Sequence, residues 1–275
     1  MTTQQLHERI QEIGREMHLR AVAVAWHDYE SGRSFEMEGD RWFHAASVIK
    51  VAILLALLKN ADDNSLRLDD PLHVRNRFVS IADGSIFRID RGRDGDAECH
   101  RRIGRTMHLE ELARAMITRS SNLATNLLLD WLGVANVRRV LSDAGIKGVR
   151  IVRGVEDNAA FERGLNNEMT PNGARQIFQI ICESGFLREN SRDLMRDILL
   201  AQEFNSMIPA GLPNGLKVAH KTGEISTHSH DVGVVYPPDR KPYVVSIFTE
   251  SDPAQDERAK AVAKIAAQIH TFLFE

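Results

Sequence analysis

Ser47 and Lys50 stand three residues apart at the start of a long apolar run, SVIKVAILLALL. At this spacing both side chains lie on one face of a helix, where the amine could take the proton of the hydroxyl. The positive end of the helix dipole would favour negative charge that develops beside them. The same spacing also occurs at ordinary helix starts, where the serine is a cap and the lysine is solvated. The chemistry therefore depends on partners elsewhere in the chain.

Two further short motifs follow, Ser120-Ser121-Asn122 and Lys221-Thr222-Gly223. Each would be explained alone by a turn or a helix cap, because serine, asparagine and glycine favour both. Together with SxxK, however, a serine-x-asparagine triplet and KTG form the signature of a group of serine acyl-transfer enzymes. The three motifs in this order favour a serine nucleophile.

The chain resembles the penicillin-recognising serine hydrolases, and among them the class A β-lactamases. The segments that carry the resemblance cover nearly the whole chain in the family's order: FHAASVIKVAILLALL, LARAMITRSSNLATNLLLDWLG, LNNEMTP, AHKTGE and HDVGVVYPP. It is most similar to β-lactamase-related hydrolases that lack a full-length omega loop. The resemblance implies a two-lobed fold with the active site in the cleft.

The resemblance also implies catalytic roles. Ser47 would attack a carbonyl and form an acyl-enzyme, which divides a difficult hydrolysis into two steps. Lys50 would receive the proton of Ser47, provided that desolvation and the like charge of Lys221 lower its pKa. Ser120 would relay a proton to the leaving nitrogen. The oxyanion would rest on the backbone N–H groups of Ser47 and Glu224.

Substrate-binding roles are implied in the same way. Asn122 would hydrogen-bond an amide of the substrate, and Lys221 and Thr222 would bind its carboxylate. Gly223 would leave room for a ligand to lie edge-on against the strand. The substrate implied is a small molecule, either a β-lactam or a D-alanyl peptide or ester, and no cofactor is expected.

Two glutamates compete for the role of activating the deacylating water. Glu156 follows Asn122 by 34 residues, close to the family's spacing between the triplet and this glutamate. Glu162 instead matches the local family motif, since Asn166 stands four residues after it. Choosing Glu162 leaves the stretch before Thr170-Pro171 much too short, so the spacing favours Glu156. The remaining alternative is that neither glutamate activates the water and that each is an ordinary exposed carboxylate at a helix end.

Two positions depart from the family pattern. Glu224 stands directly after KTG, where the family usually has a small residue, and its carboxylate would repel an anionic substrate. His230 occupies the place of a common arginine that binds the substrate carboxylate as a second anchor. Because a histidine carries only part of a charge at neutral pH, this anchor to the substrate would be weaker or absent. We therefore expect weak binding of penicillins or a preference for a different acyl donor. His228 and His230 have no third ligand nearby in the sequence, so no metal site is predicted.

Three functions remain open from the sequence. The first is a serine hydrolase of the β-lactamase type, acylated at Ser47 and deacylated by water. The second is a D-alanyl peptidase or esterase of the penicillin-binding type with slow deacylation. The third is a non-catalytic binder of cell-wall fragments, which the intact set of motifs disfavours.

Periodicity predicts an α/β fold of the α+β type. The segment RAVAVAWHDYESGRSFEME alternates around Glu30-Ser31-Gly32 and predicts a hairpin of two strands. LKVAHKTG, HDVGVVYPP and PYVVSIFTES predict three more strands, followed by a closing amphipathic helix in DPAQDERAKAVAKIAAQIHTFLF. MTTQQLHERIQEIGREMHL predicts an amphipathic helix at the N-terminus.

The expected arrangement is one five-stranded antiparallel sheet from both chain ends, flanked by helices, with an all-helical lobe inserted. The predicted lobes are residues 1–46 with 208–275, and residues 47–207. Residues 76–106 are rich in glycine, arginine and aspartate and predict a solvated connection with a turn at Asp83-Gly84, although a basic ligand-binding rim is the alternative. Trp42 and Phe43 are predicted to be core residues.

Composition excludes several other classes of protein. The chain has 275 residues, 43% of them hydrophobic, and a net charge of −3, which fits a globular protein and does not favour nucleic acid binding. No apolar run reaches the length of a membrane span, and a monomer is expected. Cys99 and Cys182 are predicted to be free thiols.

The location of the protein is left open. The N-terminal residues lack the continuous apolar core of a secretory signal. If the protein is exported, such a signal has been removed from it. If Met1 is the native start, the protein is cytoplasmic, and a role in antibiotic defence is then less expected.

Overall fold

The structure, a computed structural model, describes residues 1–183, 185–252 and 255–275. Its helices are α1 (Thr3–Glu16), α2 (Lys50–Asp62), α3 (Ala97–Arg101), α4 (Leu109–Thr118), α5 (Asn122–Leu132), α6 (Val134–Asp143), α7 (Asn158–Glu162), α8 (Pro171–Cys182), α9 (Glu189–Leu200) and α10 (Gln255–Phe274), with 3₁₀ helices at Ala46–Ile49 and Pro209–Gly211. Its strands are β1 (Ala21–Asp28), β2 (Ser34–Met37), β3 (Phe43–His44), β4 (Pro71–His73), β5 (Phe78–Val79), β6 (Ile86–Phe87), β7 (Thr106–His108), β8 (Val149–Arg150), β9 (Glu168–Met169), β10 (Lys217–Ile225), β11 (His228–Tyr236) and β12 (Tyr243–Glu250).

Strands from both chain ends form one sheet in the order β10–β11–β12–β1–β2, and all neighbours are antiparallel. The register places Ala21 opposite Glu250 at one end of the β1–β12 pair and Asp28 opposite Tyr243 at the other. Gly32 closes the β1–β2 hairpin with a φ of +69°, a conformation that glycine adopts without strain. The five-stranded antiparallel sheet predicted from the sequence is confirmed.

Helices cover both faces of the sheet. α1 and α10 lie on one face, where the buried side chains of α1 are Leu6, Ile10 and Ile13, as its periodicity predicts. The other face packs against α8 and the 3₁₀ helix at Ala46–Ile49. The predicted closing helix is observed as α10, and residues 253 and 254 of the segment that predicts it lie outside the described residues.

Helix α2 is the centre of the helical layer. Its residues from Lys50 to Leu58 are all buried, which is why the sequence is apolar on every side rather than amphipathic. α2 contacts α4, α5, α6, α8 and α9. Because a helix enclosed on all sides has little freedom, the residues at its N-terminal end are held firmly in place.

The region between Ser47 and Met207 is mainly rather than wholly helical. Its described residues include six short strands, β4 to β9, of two or three residues each. Such short pairs show no alternation that a sequence pattern can detect. The prediction for Trp42 was also wrong, because this side chain is 44% exposed with the Arg150 guanidinium 4.9 Å from its ring centre, whereas Phe43 is buried as expected.

The segment 76–106 connects the helices in two steps. β5 and β6 form a small hairpin, and the predicted turn is present, with Gly84 at a φ of +76°. The chain then returns towards the start of α5, where Asp94 is hydrogen-bonded to the backbone. Part of this connection is therefore structural and buried rather than solvated.

Candidate active site

Ser47 lies in the middle of the 3₁₀ helix that leads directly into α2. A 3₁₀ helix has three residues per turn, so Ser47 and Lys50 lie directly above one another. Ala46, the residue before Ser47, has a φ of +46°, a strained conformation for a residue with a side chain. Ser47 is half-buried and lines a pocket of about 450 Å³, so a ligand can reach its hydroxyl.

Lys50 is fully buried and contacts the Ser120 triplet. Its Nζ lies 2.7 Å from the carbonyl oxygen of Ser120, 3.0 Å from Ser120 Oγ and 2.8 Å from Asn122 Oδ1. Burial, and then the like charge of Lys221, hold the pKa of Lys50 well below its usual value. A neutral amine donates two hydrogen bonds, and here the acceptors are the carbonyl oxygen of Ser120 and Asn122 Oδ1, which can only accept. The lone pair of the amine then stays available for the proton of a hydroxyl.

Lys221 reaches the same hydroxyl from the sheet. Its Nζ donates to Ser120 Oγ at 3.1 Å and to the carbonyl oxygen of Thr222 at 2.9 Å. Burial lowers the pKa of Lys221 to about 7, although Asp231 and Glu224 act in the opposite direction. Ser120 itself has a φ of +55°, and this strained backbone places its side chain between the two lysines.

Gly223 allows β10 to approach the nucleophile closely. A Cβ added to Gly223 would lie 2.9 Å from Val48 N and 3.1 Å from Ser47 N, which no side chain could occupy without a shift of the backbone. The glycine of the KTG motif is therefore required by the close approach of the strand to the 3₁₀ helix.

Asn122 connects Lys50 to Glu156. Its Oδ1 accepts from Lys50 at 2.8 Å, and its Nδ2 donates to Glu156 Oε1 at 2.6 Å. Glu156 lines the pocket and has a φ of +59°. Asn126 holds the preceding residue, since its amide group accepts from Val155 N and donates to Val155 O.

Glu162, the competing glutamate, is the last residue of the short helix α7. Its side chain is exposed, and it is not among the residues that line the pocket. The structure thus brings Glu156, and not Glu162, to the residues of the three motifs.

Asp94 is a residue of the site that sequence reasoning missed. One carboxylate oxygen accepts from Asn122 N at 3.1 Å, and the other from Leu123 N at 2.9 Å. The second oxygen also lies 2.9 Å from His100 Nε2 and accepts from Ser121 Oγ at 3.3 Å. Since Asp94 and Asn122 are 28 residues apart, no local pattern links them. The only available sign was a triplet whose middle residue is Ser121 instead of the aspartate of S-D-N.

The two departures from the family pattern have different positions. Glu224 is half-buried, lines the pocket and accepts a hydrogen bond from Ser229 Oγ at 3.3 Å. His230 is fully buried and is not among the residues that line the pocket, and its ring is stacked on Phe248 at 4.1 Å.

The expectation that His230 contacts a substrate is therefore corrected. Its Nδ1 accepts from Thr249 N at 3.2 Å, so in the neutral ring the proton is on Nε2, 3.1 Å from the carbonyl oxygen of His44. Burial, with a smaller effect of His228, lowers the pKa of His230 to about 3. A neutral ring with both nitrogens engaged cannot replace an arginine as an anion anchor.

Other features of the described residues bear on ligands. They contain no group of three or more histidine, cysteine, aspartate or glutamate side chains arranged to hold a metal ion. None of their helices has both the length and the apolar character that a bilayer span requires. Cys99 and Cys182 are free thiols, as predicted.

Comparison with known proteins adds to this geometry. The family model described as the Beta-lactamase enzyme family matches residues 5–273. The chain belongs to this family. It is a serine hydrolase of the β-lactamase type, with the mixed α/β fold that the family's known structures share.

Individual relatives agree with this assignment. The chain is 29% identical over 257 residues to a β-lactamase from Streptomyces albus G (90% of this chain, 79% of the relative) and 30% identical over 245 residues to one from Kitasatospora aureofaciens (87% and 75%). Among solved structures, an ancestral class A β-lactamase is 27% identical with a TM-score of 0.83, covering 97% of this chain and 99% of that one. The structure named PBP-A is 25% identical with a TM-score of 0.84, covering 99% and 97%.

Proposed function

We propose that this enzyme hydrolyses β-lactams, or related small amides and esters, through an acyl-enzyme on Ser47. The observation that carries the proposal is the meeting of two buried lysines at Ser120 Oγ, beside the pocket that exposes Ser47. Burying two amines beside one hydroxyl costs desolvation energy and is not needed for folding. Such an arrangement is typical of a catalytic site.

In the acylation step, Ser47 Oγ forms a bond to the carbonyl carbon and its proton passes to Lys50. The lowered pKa of Lys50 supports this role, because the neutral amine is the form that accepts a proton. Collapse of the tetrahedral intermediate breaks the carbon–nitrogen bond, or the carbon–oxygen bond of an ester. Ser120 passes the proton from Lys50 to the departing atom, and its contact with Lys50 supports the relay.

The oxyanion and the substrate are held by groups on both sides of Ser47. We assign the oxyanion to the backbone N–H groups of Ser47 and Glu224, a role supported by the close approach at Gly223. Asn122 keeps capacity for a substrate amide. Lys221 and Thr222 bind a substrate carboxylate, and Gly223 brings the strand that carries them close to Ser47.

In the deacylation step, Glu156 takes a proton from water as the water attacks the acyl carbon. The position of Glu156 in the pocket wall and its hydrogen bond to Asn122 support this role over Glu162. The water's oxygen bonds to the acyl carbon, Ser47 Oγ leaves, and the proton returns to Ser47 by way of Glu156.

Intact mass spectrometry during hydrolysis of a chromogenic cephalosporin tests the proposal. We expect turnover without accumulation of an adduct, and loss of both turnover and adduct in Ser47→Ala. Turnover that persists in Ser47→Ala, or the absence of both turnover and adduct in the unaltered enzyme, would contradict it.

A D-alanyl peptidase or esterase of the penicillin-binding type is the second candidate. Two observations favour it: the similarity to PBP-A, and the engagement of both Glu156 oxygens, since Oε1 accepts from Asn122 and Oε2 accepts from Asp90 N at 3.2 Å. A carboxylate with both oxygens occupied is a weaker base for water. This candidate predicts a long-lived adduct on Ser47 in the same experiment.

The division into lobes and the oligomeric state are also proposals. We assign residues 1–46 and 208–275 to one lobe and residues 47–207 to the other, with the substrate in the cleft. The pocket is lined from both parts, by Ser47, Asn122 and Glu156 on one side and by Glu224 and Ile225 on the other. A monomer in analytical ultracentrifugation would support the enzyme acting alone on a small molecule.

A further inference from the structure

The pocket wall formed by β10 holds an anion beside the proposed carboxylate anchor. Glu224 follows Gly223 directly, lines the pocket with Ile225 and Ser226, and is half-buried. Its carboxylate also acts on the buried charge of Lys221, whose pKa it raises. A substrate group that reaches Lys221 and Thr222 therefore lies within the electrostatic influence of Glu224.

Glu224 is held in place from behind. Ser229, which is opposite Glu224 in the β10–β11 register, donates from Oγ to Glu224 Oε1 at 3.3 Å. Arg258 of α10, only 3% exposed, donates from Nε to Ser229 Oγ at 3.2 Å and from Nη2 to the carbonyl oxygen of Ile225 at 3.2 Å. The hydrogen bonds from Arg258 to Ser229 and from Ser229 to Glu224 thus hold this carboxylate in one position, unlike a carboxylate on an open surface.

Two arginines line the pocket, Arg93 and Arg153, but neither comes from β10, which carries Lys221 and Glu224, or from β11. The positive groups on and behind these strands are weak attractors for an anion. Lys221 is shared with Ser120 Oγ and the carbonyl oxygen of Thr222, and its pKa of about 7 leaves it partly neutral near physiological pH. His230 is neutral and buried away from the pocket. Arg258 is directed at Ser229 and Ile225, behind the wall.

On the basis of the proposed function, we propose that this end of the pocket selects acyl donors that carry a cationic group beside their carboxylate. The carboxylate of such a zwitterion lies on Lys221 and Thr222, and its ammonium lies on Glu224. A donor with the carboxylate alone meets the repulsion of Glu224 without a compensating charge of its own. The carboxylate of Glu224 thus determines specificity, whereas only the backbone N–H of this residue is assigned to the bond-breaking step.

A pair of cephalosporins tests this proposal. One bears a quaternary ammonium on the substituent next to the ring carboxylate, and the other bears a neutral substituent there. The value of kcat/KM is measured for both at about pH 6, where Lys221 is mostly protonated because its pKa is about 7. We expect the unaltered enzyme to prefer the zwitterion, and Glu224→Gln to reduce this preference about tenfold, the effect of about 1.4 kcal/mol.

Two controls separate charge from other effects. Glu189→Gln removes an exposed carboxylate at the start of α9, outside the pocket lining, and we expect it to leave the preference unchanged. Added salt should reduce the preference of the unaltered enzyme and have little effect on Glu224→Gln, because salt screens a charge interaction. Glu224→Ala provides a second variant if Glu224→Gln folds poorly.

Each outcome has one meaning. If Glu224→Gln and Glu224→Ala hydrolyse both substrates with the preference of the unaltered enzyme, or if the unaltered enzyme prefers the anion, the specificity proposal is wrong and the hydrolase proposal stands. If the unaltered enzyme neither hydrolyses nor is acylated by either substrate, the proposed function fails and the specificity proposal fails with it.

Discussion

Lys221 is a buried active-site residue whose charge state changes near neutral pH. Burial lowers its pKa to about 7, so the ammonium form is present below this pH and is lost as the pH rises through it. The pH dependence of kcat/KM reports the ionisation of the free enzyme. We therefore expect kcat/KM for a carboxylate-bearing β-lactam to fall about tenfold from pH 7 to pH 9. A tenfold fall corresponds to the loss of one hydrogen bond to a charged group. The pH–rate profile measures this directly.

The neutral ester of the same β-lactam is the control for this alkaline limb. It has no carboxylate to bind, so its kcat/KM should not fall over this range. Both substrates should share an acid limb, because protonation of Lys50 removes the base for acylation as the pH falls. An equal alkaline fall for acid and ester would show that Lys221 is not the carboxylate anchor.

The two glutamates also differ at the scale of single residues. Glu156→Gln keeps the hydrogen-bonding shape but removes the base, so we expect deacylation to slow about 100-fold or more and an acyl-enzyme to accumulate. Glu162→Gln alters an exposed side chain outside the pocket, and deacylation should change by less than about twofold. Stopped-flow kinetics with mass detection of the adduct distinguishes the two, and the reverse result would reassign the base.

At the scale of elements, α5 depends on a carboxylate from a distant segment. Asp94 accepts from two backbone N–H groups at the start of α5 and thereby holds Asn122, whose side chain contacts both Lys50 and Glu156. We expect Asp94→Asn to lower the free energy of unfolding by about 1–3 kcal/mol, because an amide nitrogen would face N–H donors. Urea denaturation measures the loss.

Asp83→Asn is the matched control for Asp94. Asp83 lies in the same connecting segment but is exposed, and its replacement should change stability by less than about 0.5 kcal/mol. Because Asp94 also supports the charge of Lys50, Asp94→Asn should move the acid limb of kcat/KM to lower pH. A loss of stability without this displacement would mean that Asp94 acts only as a helix cap.

The sequence predicts well those elements whose periodicity is strong. Four of the five strands of the main sheet are apolar runs of eight or nine residues, and α1 and α10 are clear from their apolar spacing. The site serines and lysines were found because their motifs are local. Asp94 was missed because its contact is long-range, and the burial of His230 could not be read from a strand whose residues are buried on both faces.

At the scale of the whole molecule, one hydrophobic core joins both proposed lobes. The cluster on the active-site face contains Leu54 of α2 and Leu128 of α5 together with Ala219 and Phe248 of the sheet. The sheet itself contains strands from both chain ends, so its pairing requires the whole chain between them. A core shared in this way predicts that the lobes do not unfold independently.

Ile269 tests this coupling from the side remote from the pocket. It is fully buried in the cluster between α1, α10 and the sheet, and Ile269→Ala should lower the free energy of unfolding by about 2–5 kcal/mol. In urea, the near-ultraviolet circular dichroism, to which Trp26 of the sheet contributes, should be lost at the same concentration as enzymatic activity. In the variant, both should be lost together at a lower urea concentration. The folded variant should keep kcat, since the 3₁₀ helix and the pocket lie across the sheet. Two separate transitions, with the second unaffected by Ile269→Ala, would show instead that the lobes are independent folding units, and the active site would then depend on how the two come together.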